Sequence, residues 1–247
     1  MAADASNGRG DWRVAIAAFD RECQALLDVL TTLEDPKFER VTNCPPWTLR
    51  ELVIHICFSA CTFPAEVPKP AAGAVLVAAA DYYRRAERAT EAYRTTNVDT
   101  TRRVARGYPT GREAAAALAS AWSSTRSRLE RLDPNAKMAG RQNVSRGETV
   151  LAETEMRVAD FFATRVIALA AHAADVAITL EQTPWTTEEA LDVVTPILAE
   201  LLGGAAPTAK LGWDRLSFLL AATGRRPLTP TERDQLGGRS EQFPLLS

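Results

Sequence analysis

Apolar residues recur along the chain at helical steps. Ile16, Phe19, Cys23, Leu26 and Leu30 fall on one stripe and predict a helix over about 11–33, which Asp35-Pro36 ends. Thr48-Leu49-Arg50-Glu51 reads as a capping box and opens a second helix that runs to about 63. Pro64, Pro68 and Pro70 make the next connection irregular, and a third helix is predicted over about 74–95. A second box, Thr110 with Glu113, opens a fourth helix that ends near Asp133-Pro134. The polar stretch of about 135–150 reads as a long connection with room for a short strand. A fifth helix, about 155–181, is the most apolar in the chain. Thr186 with Glu189 boxes a sixth that Gly203-Gly204 stops, Asp214 caps a seventh ending at Gly224, and Thr229 with Glu232 begins a short eighth. No segment alternates convincingly as a strand and no repeat of fixed period is present, so the fold class expected is all-α and not a solenoid.

Composition narrows this further. The chain has 247 residues, 46% of them hydrophobic, which suits one large domain or one with an appendage. A net charge of -2 argues against nucleic acid as a partner, since phosphate recognition needs Lys and Arg concentrated on one face. The N-terminal residues carry no apolar core before a small-residue cleavage site, so a cytoplasmic location is expected. The longest apolar stretch, 166–180, is interrupted by His172 and Asp175 and is shorter than the roughly 20 residues that cross a bilayer. It is read as a buried helix, with no membrane partner. Cys23, Cys44, Cys57 and Cys61 are then expected as buried thiols; Cys57 and Cys61, one helical turn apart, do not make a zinc framework without a second pair.

There are only two histidines, so any metal site must be sparing of them. His55 lies on the second helix and His172 on the fifth, with Arg165, Ala168 and Asp175 sharing the His172 face at seven, four and three residues' distance. Facing helices of a bundle commonly supply the ligands of one metal, although a single histidine on an apolar face is more often a satisfied core residue. The residues alone leave both readings open.

A resemblance goes beyond them. Cys44-Pro45-Pro46-Trp47-Thr48-Leu49-Arg50-Glu51-Leu52-Val53-Ile54-His55 resembles the C-P-x-W-T-x-x-x-L-x-x-H segment of the DinB/YfiT-like superfamily, and more narrowly its actinobacterial branch named for mycothiol-dependent maleylpyruvate isomerase. The run from Arg165 to Asp175 resembles that branch's R-x-x-E-x-x-x-H-x-x-D motif, and the tail from Gly212 to Leu246 resembles the ending of one subgroup. The resemblance implies an up-and-down four-helix bundle over 1–182, with a helical extension over 183–247 packed on it. It also implies a divalent metal, zinc or nickel, held by His55, His172 and a glutamate. In this chain the glutamate position is Ala168, which offers no oxygen. Asp175 is expected to support a histidine or position the helix rather than bind metal.

The chemistry implied is activation of a thiol cofactor, mycothiol or a similar thiol, whose thiolate adds to a small electrophilic substrate. Expulsion after bond rotation gives isomerisation; retention gives an S-conjugate. Arg225 is the first candidate to clamp a substrate carboxylate, with Arg84 and Arg85, after Tyr82-Tyr83, behind it. A member with little or no metal is expected to use His55 or His172 as general acid or base. The alternative is a binding or regulatory protein that keeps the bundle and has lost the metal site. Oligomeric state, substrate and pathway are not legible in the sequence.

Overall fold

The computed structural model describes residues 5–44, 46–84, 90–146, 148–204 and 206–246, and the fold is an all-α bundle with short strands in its connections. Four long helices form the bundle: α1 (Ala5–Leu30), α3 (Leu49–Ser59), α5 (Gly111–Leu129) and α6 (Val158–Thr179). Each touches two neighbours, in the cyclic order α1, α6, α3, α5. The short α2 (Asp35–Phe38) joins α1 to α3, and α4 (Glu91–Ala105) lies against α3. After the bundle come α7 (Glu188–Leu201), α8 (Thr208–Leu211), α9 (Arg215–Ala222) and α10 (Pro230–Leu236). Helix α7 packs on α1 and α6, and α9 packs on α7 and α6.

The stripe read on the first helix is the core. Phe19, Cys23, Leu26 and Leu30 are buried, and the Phe19 ring lies 4.6 Å from Trp122 of α5 and 5.2 Å from Phe162 of α6. Burial of such rings supplies most of the association free energy, at about 25 cal/mol per Å² removed from water. Asp20 anchors the same junction at its rim, accepting hydrogen bonds from Trp122 Nε1 (2.8 Å) and Arg126 Nη1 (2.9 Å). Helix α6 is long and apolar enough to cross a membrane by length and composition, but 72% of its most apolar window is buried inside the protein.

The boxes at Thr48, Thr110 and Thr229 form as read, each with the hydroxyl accepting the N3 amide and the glutamate accepting the N-cap amide. The sixth predicted helix starts one residue later than expected. Thr187 caps α7, because Glu22 of α1 reaches across to accept from Thr186 Oγ1 (2.9 Å) and the Thr187 amide (2.8 Å), while Glu189 pairs with Arg21. Burial pushes the Glu22 carboxyl upward despite these bonds.

The third predicted helix, 74–95, is corrected most. Val75–Leu76 is a strand (β1), Ala80–Tyr83 is a single 3-10 turn, and α4 begins only at Glu91, capped by Thr90. Its residues 85–89, Arg85 among them, lie outside the described residues. Backbone pairing competes with helix here: β1 runs parallel to β5 (Thr154–Arg157), and β2 (Lys137–Ala139) pairs antiparallel on the other side of β5. A second ribbon pairs β3 (Val144–Arg146) with β4 (Thr149–Leu151). The room for a short strand in 135–150 is filled by β2 and β3, while β1 and β5 lie in segments read as helix or left without a strand, since strands of two to four residues are too short to show alternation.

Candidate functional site

The capping box fixes where α3 starts, and with it which residues point inward. His55 therefore projects from α3 toward α6, where His172 meets it. The two rings stand edge to face with centroids 5.2 Å apart, and both line a cavity of about 490 Å³. Trp47 covers His55 at 4.3 Å and Phe58 abuts its edge at 5.2 Å. Burial lowers the His55 pKa, with further lowering by His172 and Arg165, to about 3, so this imidazole is neutral. Its Nδ1 lies 3.3 Å from Thr101 Oγ1 of α4.

His172 is held differently. Its Nδ1 is 2.9 Å from Asp175 Oδ2 on the next turn of α6. Asp175 has a fully buried side chain and takes four donors. Oδ1 accepts from Asn43 Nδ2 (2.7 Å) and Arg225 Nε (3.0 Å), and Oδ2 accepts from His172 and from Arg225 Nη2 (2.6 Å). Burial alone would raise the Asp175 pKa, yet the bond from His172 and the Arg225 guanidinium outweigh it and hold the carboxyl well below its ordinary range. An ionised carboxylate can only accept, so His172 Nδ1 donates to it, which turns Nε2 away from Asp175.

Arg225 thus reaches the site, but as the bidentate partner of Asp175, with its third nitrogen donating to Thr223 O at 2.6 Å. Arg84 is placed elsewhere. It pairs with Asp81 at 2.7 Å, donates to Glu200 O at 3.2 Å and is not among the cavity's lining residues. Tyr82 and Tyr83 both border the cavity, with Tyr83 Oη donating to Thr164 O at 3.0 Å.

Four contributors were not read from the sequence as site residues. Arg165, the first residue of the second motif, lines the cavity and is buried, its Nη1 donating to Ser59 O at 2.7 Å. Arg141 enters from the connection after β2, where nothing in the local pattern singles it out. Trp47 and Ser59 also line the cavity, and their Nε1 and Oγ atoms are buried without a hydrogen-bond partner among the described residues. Unpaired buried donors are costly, and a ligand oxygen would satisfy them.

The donor set does not fit the three-ligand metal site that the resemblance implies. His55 and His172 offer two imidazoles. Ala168, one turn before His172 on the cavity wall, presents only a methyl group. Cys44, His172 and Asp175 form a potential ligand group with donor atoms within 4.8 Å of one another. Burial and the Asp175 charge push the Cys44 thiol up to about 12, so it stays protonated. A cation seated there would also have to displace the Arg225 guanidinium from Asp175.

Comparison with known families decides the kinship. Residues 19–177 match the mycothiol maleylpyruvate isomerase N-terminal domain. The chain belongs to this family. No curated protein and no solved structure matches it. The matched span contains His55, Ala168, His172 and Asp175, while Arg225 lies beyond it.

Proposed function

We propose that this family member is a thiol-dependent isomerase or S-transferase acting on a small electrophilic acid, with imidazole in place of metal as the group that activates the thiol. The observation that carries the reading is the His172 ring, fixed by Asp175 through Nδ1 on the wall of a cavity that also holds a neutral His55. Family membership supplies the thiol class, with mycothiol as the natural candidate.

In this reading His172 Nε2 takes the thiol proton, and Asp175 stabilises the imidazolium that results. The thiolate then adds to the electrophilic carbon. Expulsion of sulfur after rotation about the former double bond yields the isomer, with the proton returning from His172; retention yields the conjugate. His55, held neutral, contributes a hydrogen bond at reacting atoms, and Trp47 Nε1 and Ser59 Oγ are suited to a substrate oxygen. Maleylpyruvate with mycothiol is the first pair to assay. Turnover is expected to survive chelator and to fall by roughly 10²–10⁴-fold in His172→Ala. Unchanged turnover in both His172→Ala and His55→Ala would remove the histidines from catalysis.

Ala168 favours a second reading, in which the chain binds a thiol or an acid without converting it. Calorimetric binding of mycothiol with no product formed from any electrophile tried would establish that reading over the first.

A further inference from the structure

The cavity also holds two guanidiniums and a phenol. Arg141 Nη2 donates to Tyr82 Oη at 2.7 Å, and the guanidinium carbons of Arg141 and Arg165 each lie 4.9 Å from the centre of the Tyr82 ring. Arg165 Nε and Nη2 donate to Thr164 Oγ1 and its Nη1 to Ser59 O, all neutral acceptors. Among the described residues neither arginine has a carboxylate in ion-pair contact, in contrast to Arg225, which Asp175 balances. Arg165 is 8% exposed and Tyr82 5%. A buried cation such as Arg165 is unfavourable by several kcal/mol without a counter-charge, whereas Arg141 is exposed. Among the described residues, the ionisable side chain in contact with both guanidiniums is Tyr82.

We propose that Tyr82 is an acid–base residue of the cavity, its phenolate form held by the paired guanidiniums of Arg141 and Arg165, and that it exchanges a proton with the substrate oxygen on which charge collects. The charged and titratable neighbours agree. Arg141 comes from the connection after β2 and Arg165 from α6; the Tyr83 ring packs at 5.2 Å; the adjacent Asp81 carboxylate is paired with Arg84. Burial alone would raise the phenol, but the two guanidiniums and their hydrogen bonds bring it down to about 7. An acid poised near the working pH is the efficient one for proton transfer.

The role rests on the thiol-addition reading above and completes its balance. As the carbon–sulfur bond forms, the carbon–carbon π bond breaks and its electron pair moves to the conjugated carbonyl oxygen. Tyr82 gives that oxygen a proton and becomes phenolate. On expulsion of sulfur the phenolate takes the proton back, the π bond reforms and the carbon–sulfur bond breaks. No oxidant or further reactant is required.

Ultraviolet titration of tyrosinate on the full chain tests the assignment without any turnover. One of the four tyrosines is expected to ionise near neutral pH in the wild type. That transition is expected to vanish in Tyr82→Phe and to move up by about one pH unit or more in Arg141→Gln, the variant that decides the matter if Tyr82→Phe does not fold. With mycothiol and maleylpyruvate, Tyr82→Phe is expected to lose roughly 10²-fold in kcat with little change in KM. Absence of a near-neutral transition in the wild type overturns the proposal, as does undiminished kcat in folded Tyr82→Phe. A wild-type protein inert toward that pair but showing the transition supports Tyr82 as the ionising group and removes the thiol-addition reading alone.

Discussion

At the scale of single residues, the site is governed by how each charge is balanced. Asp175 neutralises Arg225 and orients His172, so Asp175→Asn would strand a buried guanidinium. Loss of one partner of a buried pair costs about 3–5 kcal/mol, and urea unfolding should report a drop of that size. The depressed carboxyl contributes stability fully above its unfolded value, near ~4, and that contribution disappears only in strong acid. His55 acts over a more accessible range. Its value falls from 6.5 in the unfolded chain to about 3 in the fold, so between these limits the unfolded chain carries more protons and stability declines as pH falls. Wild type should therefore lose up to ~1.4 kcal/mol more per pH unit than His55→Gln across that window; parallel unfolding curves would show that His55 is not held neutral. At position 168, restoring a carboxylate by Ala168→Glu should tighten zinc binding measured by titration, and no gain would mean that the two imidazoles cannot share an ion.

At the scale of elements, what was legible is what local chemistry determines. The hydroxyl and glutamate of each box at Thr48, Thr110 and Thr229 cap their helices from within four residues, so the start of α3, and hence the direction of His55, follows from sequence alone. The segment 74–95 was not legible because Val75 and Leu76 take their hydrogen-bonding partners from β5, some eighty residues on. Arg141 was invisible for the same reason. It is placed by Gly140, where a Cβ would meet Thr154 Oγ1 at 2.2 Å and the Thr154 backbone at 3.0 Å. Gly140→Ala should push this connection off β5, destabilising the fold by about 1–3 kcal/mol and raising the pH at which Tyr82 ionises. A spectrum of tyrosinate unchanged from wild type would show that Arg141 follows the displacement.

At the scale of the whole molecule, the cavity is assembled from parts far apart in the chain. Trp47, Tyr82, Arg141, His172 and Arg225 all line it, and the two histidines were traceable only because the family motifs mark them on separate helices. Arg225 ranked ahead of Arg84 as a sequence candidate for a substrate carboxylate; tertiary packing gives Arg84 to Asp81 and Glu200 and Arg225 to Asp175. The tail that carries Arg225 is pinned beside α9, where the Leu245 amide donates to Ala222 O at 2.8 Å. Asp175 lies within the span shared with the family and Arg225 fifty positions later, outside it. Neither can be exchanged for a neutral residue without leaving its mate a bare charge in the interior. Inheritance at the two positions should therefore be joint: among descendants of the same ancestor, a chain that has given up the acid at 175 is expected to have given up the base at 225 as well, and an aligned set of such chains would reveal it as paired change.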